Sequence, residues 1–227
     1  MSTYHSLIWP EVTMTHKDNH LLLQTQQPLT VVSSALWGGG ISQATHFVNW
    51  HVPLDYSAEN PVEQMRGHLT GWGYPVSQTV GLQTAASLTS GSVHEENGDQ
   101  FRIICMATAG TGNSARAGRL RQTFSAYQCG TINIFVLLDA RLTPAAMVNG
   151  IITATEAKAA ALQDLGIRDE HGEIATGTTT DSIVIGCSQN PEYASHLFAG
   201  VATTVGNSIG RLVYEAVCEA AAVEKEE

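Results

Sequence analysis

Charge is scarce in this chain, and positive charge is scarcest. Only 14% of the 227 residues are Asp, Glu, Lys or Arg, and 11 basic residues against 21 acidic ones give a formal net charge of −10. The one basic cluster is Arg116, Arg119 and Arg121. A phosphate backbone needs a larger electrostatic footprint, so the composition argues against nucleic acid as a partner. Paired cysteines are missing too. Cys105, Cys129, Cys187 and Cys218 are widely separated, with no CxxC among them, so neither a disulfide framework nor a zinc ribbon is encoded. The opening MSTYHSLIWPEV has no basic stretch ahead of an apolar run. No segment approaches the roughly 18 apolar residues of a membrane helix. Reduced thiols, a cytoplasmic location and no membrane partner are the expectation, with homo-oligomerisation left open. The acidic end from Glu224 to Glu227 reads as a frayed, solvated helix terminus.

What is present is a hydrophobic fraction of 43% with 21 glycines, the balance of a compact enzyme rather than a disordered chain. One domain spanning residues 1–227 is expected, because that length buries a core without covalent staples. Leu29 to Leu36 reads as a strand running into Gly38, Gly39 and Gly40, and His46 to Val52 as a second strand stopped by Pro53; the two suit a hairpin. A second hairpin is expected around EENGD (95–99), with its Asn-Gly pair, between residues 80–94 and the strand FRIICMAT. Thr131 to Leu138 is a buried strand, Pro144 to Leu165 an Ala-rich helix capped by Thr143, and Asp181 to Cys187 another apolar strand. Pro191 to Glu219 reads as two helices or one helix broken by Gly200, Gly206 and Gly210. The predicted class is α+β or mixed α/β, a single domain with a mixed, hairpin-containing sheet packed against helices. A Thr-Gly-Asn-Ser echo between ATAGTGNSARAG (from Ala107) and ATTVGNSIGRL (from Ala202) fits either two related halves or chance likeness of small-residue loops.

The densest chemistry lies in ATGTTTDSIVIG, Ala175 to Gly186, where three hydroxyls precede an Asp at the mouth of an apolar strand. Such a cluster can bind an oxyanion, orient a water or ligate a cation; the alternative is a Ser/Thr turn with Asp181 as its acceptor. TAGTGNSARAG, Thr108 to Gly118, follows a strand, and its amides can hold an anion or carbonyl oxygen, although it lacks both the GxGxxG spacing and a P-loop Lys. After Pro144, Asn149, Thr153 and Glu156 share one helix face, opposite Val148, Ile152, Ala159 and Leu162. That polar face either lines a pocket or is simply the wet side of the helix. Nine His residues carry no HExxH or His-plus-Cys spacing, so no metal site is assigned, and no GxSxG elbow supports a Ser triad.

Read together, these segments resemble the adenosylcobinamide amidohydrolase family of cobalamin-precursor salvage. The matching stretches are WGGG (37–40), VNWHVP (48–53), GLQTAAS from Gly81, TAGTGNSARAG, GTINIFVLLDARLT from Gly130, TATEAKAAALQDLGI from Thr153, ATGTTTDSIVIG, and FAGVATTVGNSIGRLVYEAV from Phe198. They run from about Val31 to Val217, leaving residues 1–30 outside. The resemblance implies hydrolysis of the amide joining the aminopropanol arm to the corrin ring of adenosylcobinamide, giving adenosylcobyric acid. The partner is then a small corrinoid substrate, and no cofactor is implied.

Residue roles follow from what amide hydrolysis needs. Asp181 is expected to be the base, activating a water, with Thr178, Thr179 and Thr180 around it and Lys158 donating the proton to the leaving amine. The amides of Gly110 and Gly112, with Asn113 or Asn207, are expected at the oxyanion, and Gly39, Gly40, Asn49, Asn133 and Glu156 at the substrate. A variant is covalent catalysis by Thr180, or by Thr131 freed by self-cleavage after Gly130. The rival reading is a non-catalytic corrinoid-binding protein that walls the flat ring with Trp37, Trp50 and Trp72.

Overall fold

The computed structural model describes residues 2–120 and 130–224; Arg121, Cys129 and the acidic residues beyond Glu224 lie outside them. Along the chain run β1 (Ser2–His5), β2 (Val12–His16), β3 (His20–Ser33), β4 (Gly40–His51), α1 (Pro61–Gly71), β5 (Thr79–Thr84), β6 (Ser92–Gly98), β7 (Phe101–Ala109), β8 (Ser114–Ala115), β9 (Ile132–Asp139), β10 (Arg141–Leu142), α2 (Pro144–Asp164), β11 (Gly177–Thr178), β12 (Ser182–Cys187), β13 (Ser195–His196) and α3 (Thr204–Glu224). This is the expected α+β class: one mixed sheet with helices against it. Among the described residues, no helix is long and apolar enough to cross a membrane.

The sheet runs β1-β2-β3-β12-β9-β7-β6, and β4 and β5 leave it from the other edge of β3. The 14-residue β3 organises it. Leu21 to Thr25 pair with β2, Thr30 to Ser33 pair with β12, and the opposite edge pairs with β4 across a bulge between Gln24 and Leu29. The bulge bends the strand, and the sheet curls so that β3, β4 and β5 stand over β7, β9 and β12. Leu23, Leu29, Phe47 and Leu82 from one half meet Ile104, Met106, Phe135 and Leu137 from the other. Outside β7, β9 and β12, a second core joins Ile103, Ile134 and Val136 to α2 and α3. A third places Met65 and Leu69 of α1 on Val48 and Trp50. Strand β9 is therefore covered on both faces, which explains its unbroken apolar run.

Several expected elements are present, some with shifted edges. The β3–β4 hairpin forms, but β3 begins at His20 rather than Leu29, and β1 and β2 ahead of it are also in the sheet. The second hairpin pairs β6 with β7, and its loop is Asp99–Gln100. The Asn97-Gly98 pair lies inside β6, where a Cβ on Gly98 would strike the Phe101 ring at 2.1 Å. Strands β9 and β12 are parallel and joined by α2, with Thr143 Oγ1 accepting from Ala146 N at 3.1 Å. Among the described residues, the C-terminal region holds one helix, which begins at Thr204 and runs through Gly206 and Gly210, instead of two helices or a broken one. Gly206 starts it without a side chain because a Cβ there would meet Gly200 O at 2.1 Å. The Thr-Gly-Asn-Ser echo folds as the loop leading into β8 in one copy and a helix start in the other. Helix α1 carried no signal that was read from the sequence.

His20 is 3% exposed, with Nδ1 3.0 Å from Asn19 Oδ1 and Nε2 2.7 Å from Tyr74 Oη. Because Asn19 Oδ1 only accepts, Nδ1 carries the proton and Nε2 accepts from Tyr74. Burial, then the charge of Lys17, pulls its pKa from 6.5 down to about 4. The unfolded chain takes up this proton first, so stability held by the neutral ring is complete above about pH 6.5 and is lost as pH falls toward 4. The urea midpoint of the wild type is expected to drop more steeply over that window than that of His20→Gln; equal slopes would assign the loss elsewhere.

Candidate active site

Parallel pairing of β9 with β12 sets their first residues side by side, Ser182 opposite Asn133. Just before them, the chain at Thr178–Asp181 meets the chain at Gly130–Ile132. A short ladder, β8 with β11, ties in the glycine-rich loop. The two segments richest in small polar residues thus converge on one end of the sheet.

Asp181 is fully engaged there. Oδ1 accepts from Ile132 N at 3.0 Å and from Thr178 Oγ1, while Oδ2 accepts from Thr178 N at 3.0 Å and from Lys158 Nζ. Both side chains are nearly enclosed, 7% exposed for Lys158 and 11% for Asp181. Gly177 makes room for the pair, since a Cβ at that position would lie 2.4 Å from Asp181 Oδ2 and 2.7 Å from Lys158 Nζ. With four donors on its two oxygens, Asp181 has no lone pair left for a water. The expectation of Asp181 as general base and Lys158 as free proton donor therefore gives way to an ion pair that fixes Ile132 and Thr178.

The hydroxyls beside that pair are differently placed. Thr131 Oγ1 lies 2.6 Å from Thr180 Oγ1, and the Thr180 hydroxyl reaches Gly130 O at 3.2 Å. Thr131, Thr180, Asp181 and Ser182 line one side of a cavity of about 330 Å³; Leu36, Val52, Tyr56, Pro61, Leu82 and Gln83 are among the rest of its wall. An open groove of about 620 Å³ adjoins it through the shared Ser34 and Leu36, and Trp37, Gly38, Gly39 and Gly40 line that groove. Beneath the cavity a buried polar chain joins the two halves of the sheet. Asn49 Nδ2 donates to Thr108 Oγ1 at 2.8 Å, and Asn133 Nδ2 donates to Asn49 Oδ1 at 2.7 Å and to Gln83 O at 2.9 Å.

The remaining expected residues divide. Asn113 Nδ2 donates to Thr179 Oγ1 at 2.7 Å, so these two brace the loop against the Thr run. The Gly110 amide is spent on Thr131 O at 2.9 Å, and Gly112 is exposed. The Gly110 amide is therefore not free for an oxyanion. Asn207 is exposed on α3, its Nδ2 3.4 Å from Val201 O, and Glu156 is exposed on α2. The polar face of α2 does not line a pocket. Thr153 donates to Ala199 O at 2.7 Å and Asn149 accepts from Ala199 N at 2.9 Å, while Val148 and Ile152 point outward. The inversion has a packing cause: α2 buries Ala146, Gly150, Ala154, Ala157 and Ala161, small residues that allow close approach to the sheet and α3. Trp50 and Trp72 pack with α1 and only Trp37 borders the groove, so no three-Trp wall forms. Ser34, Tyr56, Gln83 and Ser182 were missed, because loop and strand-end positions carry no periodic signal.

The adenosylcobinamide amidohydrolase family model matches residues 8–227, reaching well ahead of Val31. An uncharacterised protein, MJ1613, of Methanocaldococcus jannaschii is 34% identical over 160 residues, 61% of each chain, so that match spans less than two thirds of the relative. Proteins named adenosylcobinamide amidohydrolase from Methanosarcina mazei and Halobacterium salinarum are 29% and 30% identical. Those matches cover 88% and 80% of this chain, and 93% and 75% of the relatives. On a match running from the second strand's approach to the last residue, the chain belongs to the adenosylcobinamide amidohydrolase family, a family of amide hydrolases.

Proposed function

We propose that the protein hydrolyses the amide joining the aminopropanol arm to the corrin ring of adenosylcobinamide, releasing aminopropanol and leaving adenosylcobyric acid. The observation that carries this reading is the cavity itself. One side of it presents paired hydroxyls next to a nearly enclosed ion pair, and its volume suits an arm rather than a macrocycle. The ring then rests in the adjoining groove, against Trp37 and the Gly38–Gly40 turn. Incubating purified protein with adenosylcobinamide and assaying free aminopropanol together with cobyric acid tests the reading. Bound but unchanged corrinoid would favour a binding protein instead.

The groove makes a separate prediction. A Cβ on Gly39 would sit 2.2 Å from Ala35 O, so Gly39→Ala must displace the Ala35–Gly40 turn. If the turn seats the ring away from the reacting amide, KM is expected to rise roughly tenfold with kcat nearly unchanged. An equal fall in kcat at constant KM would move the turn into the chemistry.

A further inference from the structure

Thr131 stands out because the groups on both sides of it are held in place. Its carbonyl accepts from Gly110 N at 2.9 Å, and the next amide, Ile132 N, is held by Asp181 at 3.0 Å. Its hydroxyl faces the cavity side, 2.6 Å from Thr180 Oγ1. On the N-terminal side, the carbonyl oxygen of Gly130 takes the Thr180 hydroxyl at 3.2 Å. Gly130 has no space for a side chain, since a Cβ would approach Asn113 Oδ1 to 2.5 Å. A polarised carbonyl therefore precedes a residue whose own hydroxyl is within a five-membered ring of it.

The same hydroxyl is the best-placed nucleophile in the cavity, yet it lacks a base. Among the described residues its one hydrogen-bond partner is Thr180, and Lys158 is committed to Asp181. An alcohol needs a proton acceptor to attack an amide. The α-amine of Thr131 would lie on the same residue as the hydroxyl, and an α-amine titrates near neutrality, at about 7.7–8.0. In the intact chain that nitrogen is locked in the Gly130–Thr131 amide.

We infer that the protein cuts its own chain between Gly130 and Thr131, and that the freed Thr131 supplies both nucleophile and base; the catalytic half of this rests on the amide-hydrolase reading above. In the cut, Thr131 Oγ1 attacks the Gly130 carbonyl carbon while Thr180 donates to the oxygen gaining charge. The C–N bond breaks, the hydroxyl proton moves to the departing nitrogen, and an ester links Gly130 to Thr131 Oγ1. Water hydrolyses the ester, leaving the Gly130 carboxylate, the restored hydroxyl and a free amine. In turnover the amine takes the hydroxyl proton as Oγ1 attacks the substrate carbonyl and passes it to the leaving aminopropanol nitrogen. A second water releases the acid.

Intact mass and N-terminal sequencing of the purified full-length chain test the cut without any substrate. The expected result is two fragments that co-elute under native conditions, the second beginning Thr131-Ile132-Asn133, in place of one 24.2 kDa chain. Thr131→Ala should stay whole and release no aminopropanol, and Thr131→Ser, which keeps a hydroxyl, should still cut. Circular dichroism of each variant separates a chemical failure from a folding one. A wild-type chain that stays whole, or is cut at another bond, overturns the inference, and a whole chain that turns over adenosylcobinamide leaves only the amide-hydrolase reading standing. Cutting at Thr131 without turnover of adenosylcobinamide would support self-cleavage and sink the substrate assignment.

Discussion

Asp181→Asn is expected to cost the fold about 3 kcal/mol and to lower turnover of adenosylcobinamide roughly a hundredfold, with KM little changed. The wild-type carboxylate accepts from Ile132 N, Thr178 N, Thr178 Oγ1 and Lys158 Nζ. An amide keeps one oxygen and turns a donor group toward one pair of these donors, whichever way it is flipped. Lys158, 7% exposed, then has no anion beside it. With its donor group turned away from Lys158, the amide faces Ile132 N and that contact is lost, which frees the backbone that holds Thr131; misplacing a reacting group by about 1 Å is enough for a hundredfold loss. Urea unfolding at pH 7 reads the first effect, and kcat and KM from released aminopropanol read the second. Activity within a factor of about three of wild type would remove Asp181 from the positioning of the site.

The partner substitution has a comparable effect by the opposite route. Lys158→Met keeps the aliphatic stem and removes the charge, leaving the Asp181 carboxylate 11% exposed with no cation beside it. A loss of about 3–5 kcal/mol is expected, because breaking one side of a buried pair strands the other. Replacing both, Asp181→Leu with Lys158→Met, should recover only part of that stability, since the pair itself exchanges for apolar residues at little net cost while Ile132 N and Thr178 N lose their acceptor. Turnover should not recover, because leucine cannot hold Ile132 N or Thr178. A double variant with restored turnover would reduce the pair to packing, and a single Lys158→Met variant with wild-type stability and rate would show that the ion pair holds nothing in place.

Much of the local architecture was legible because periodic patterns report burial directly. The apolar run of β9 announces a strand covered on both faces, and Thr143 followed by Pro144 announces a helix start that the Ala146 amide confirms. The Thr-rich segment and the glycine-rich loop were singled out by composition, and β8 and β11 do bring them together. The face of α2 was misjudged because small residues count little on a hydrophobic pattern, although they allow the closest packing. Thr131, two residues ahead of the fully buried Asn133, reads in sequence as one more strand residue.

From the sequence alone came the class, the order of most elements, the family and the two small-residue segments that converge on one end of the sheet. Each of these depends on residues close together in the chain. The tertiary structure decided what those segments do. Asp181 reads as a base until Lys158, 23 residues away, and Ile132, 49 residues away, occupy its oxygens. The cavity exists because β3 shares one edge between β2 and β12 and the sheet curls at its bulge, bringing Tyr56 and Gln83 opposite Thr131 and Thr180. Strand pairing over such separations is set by the summed burial of the whole sheet, and no short window of sequence carries that sum.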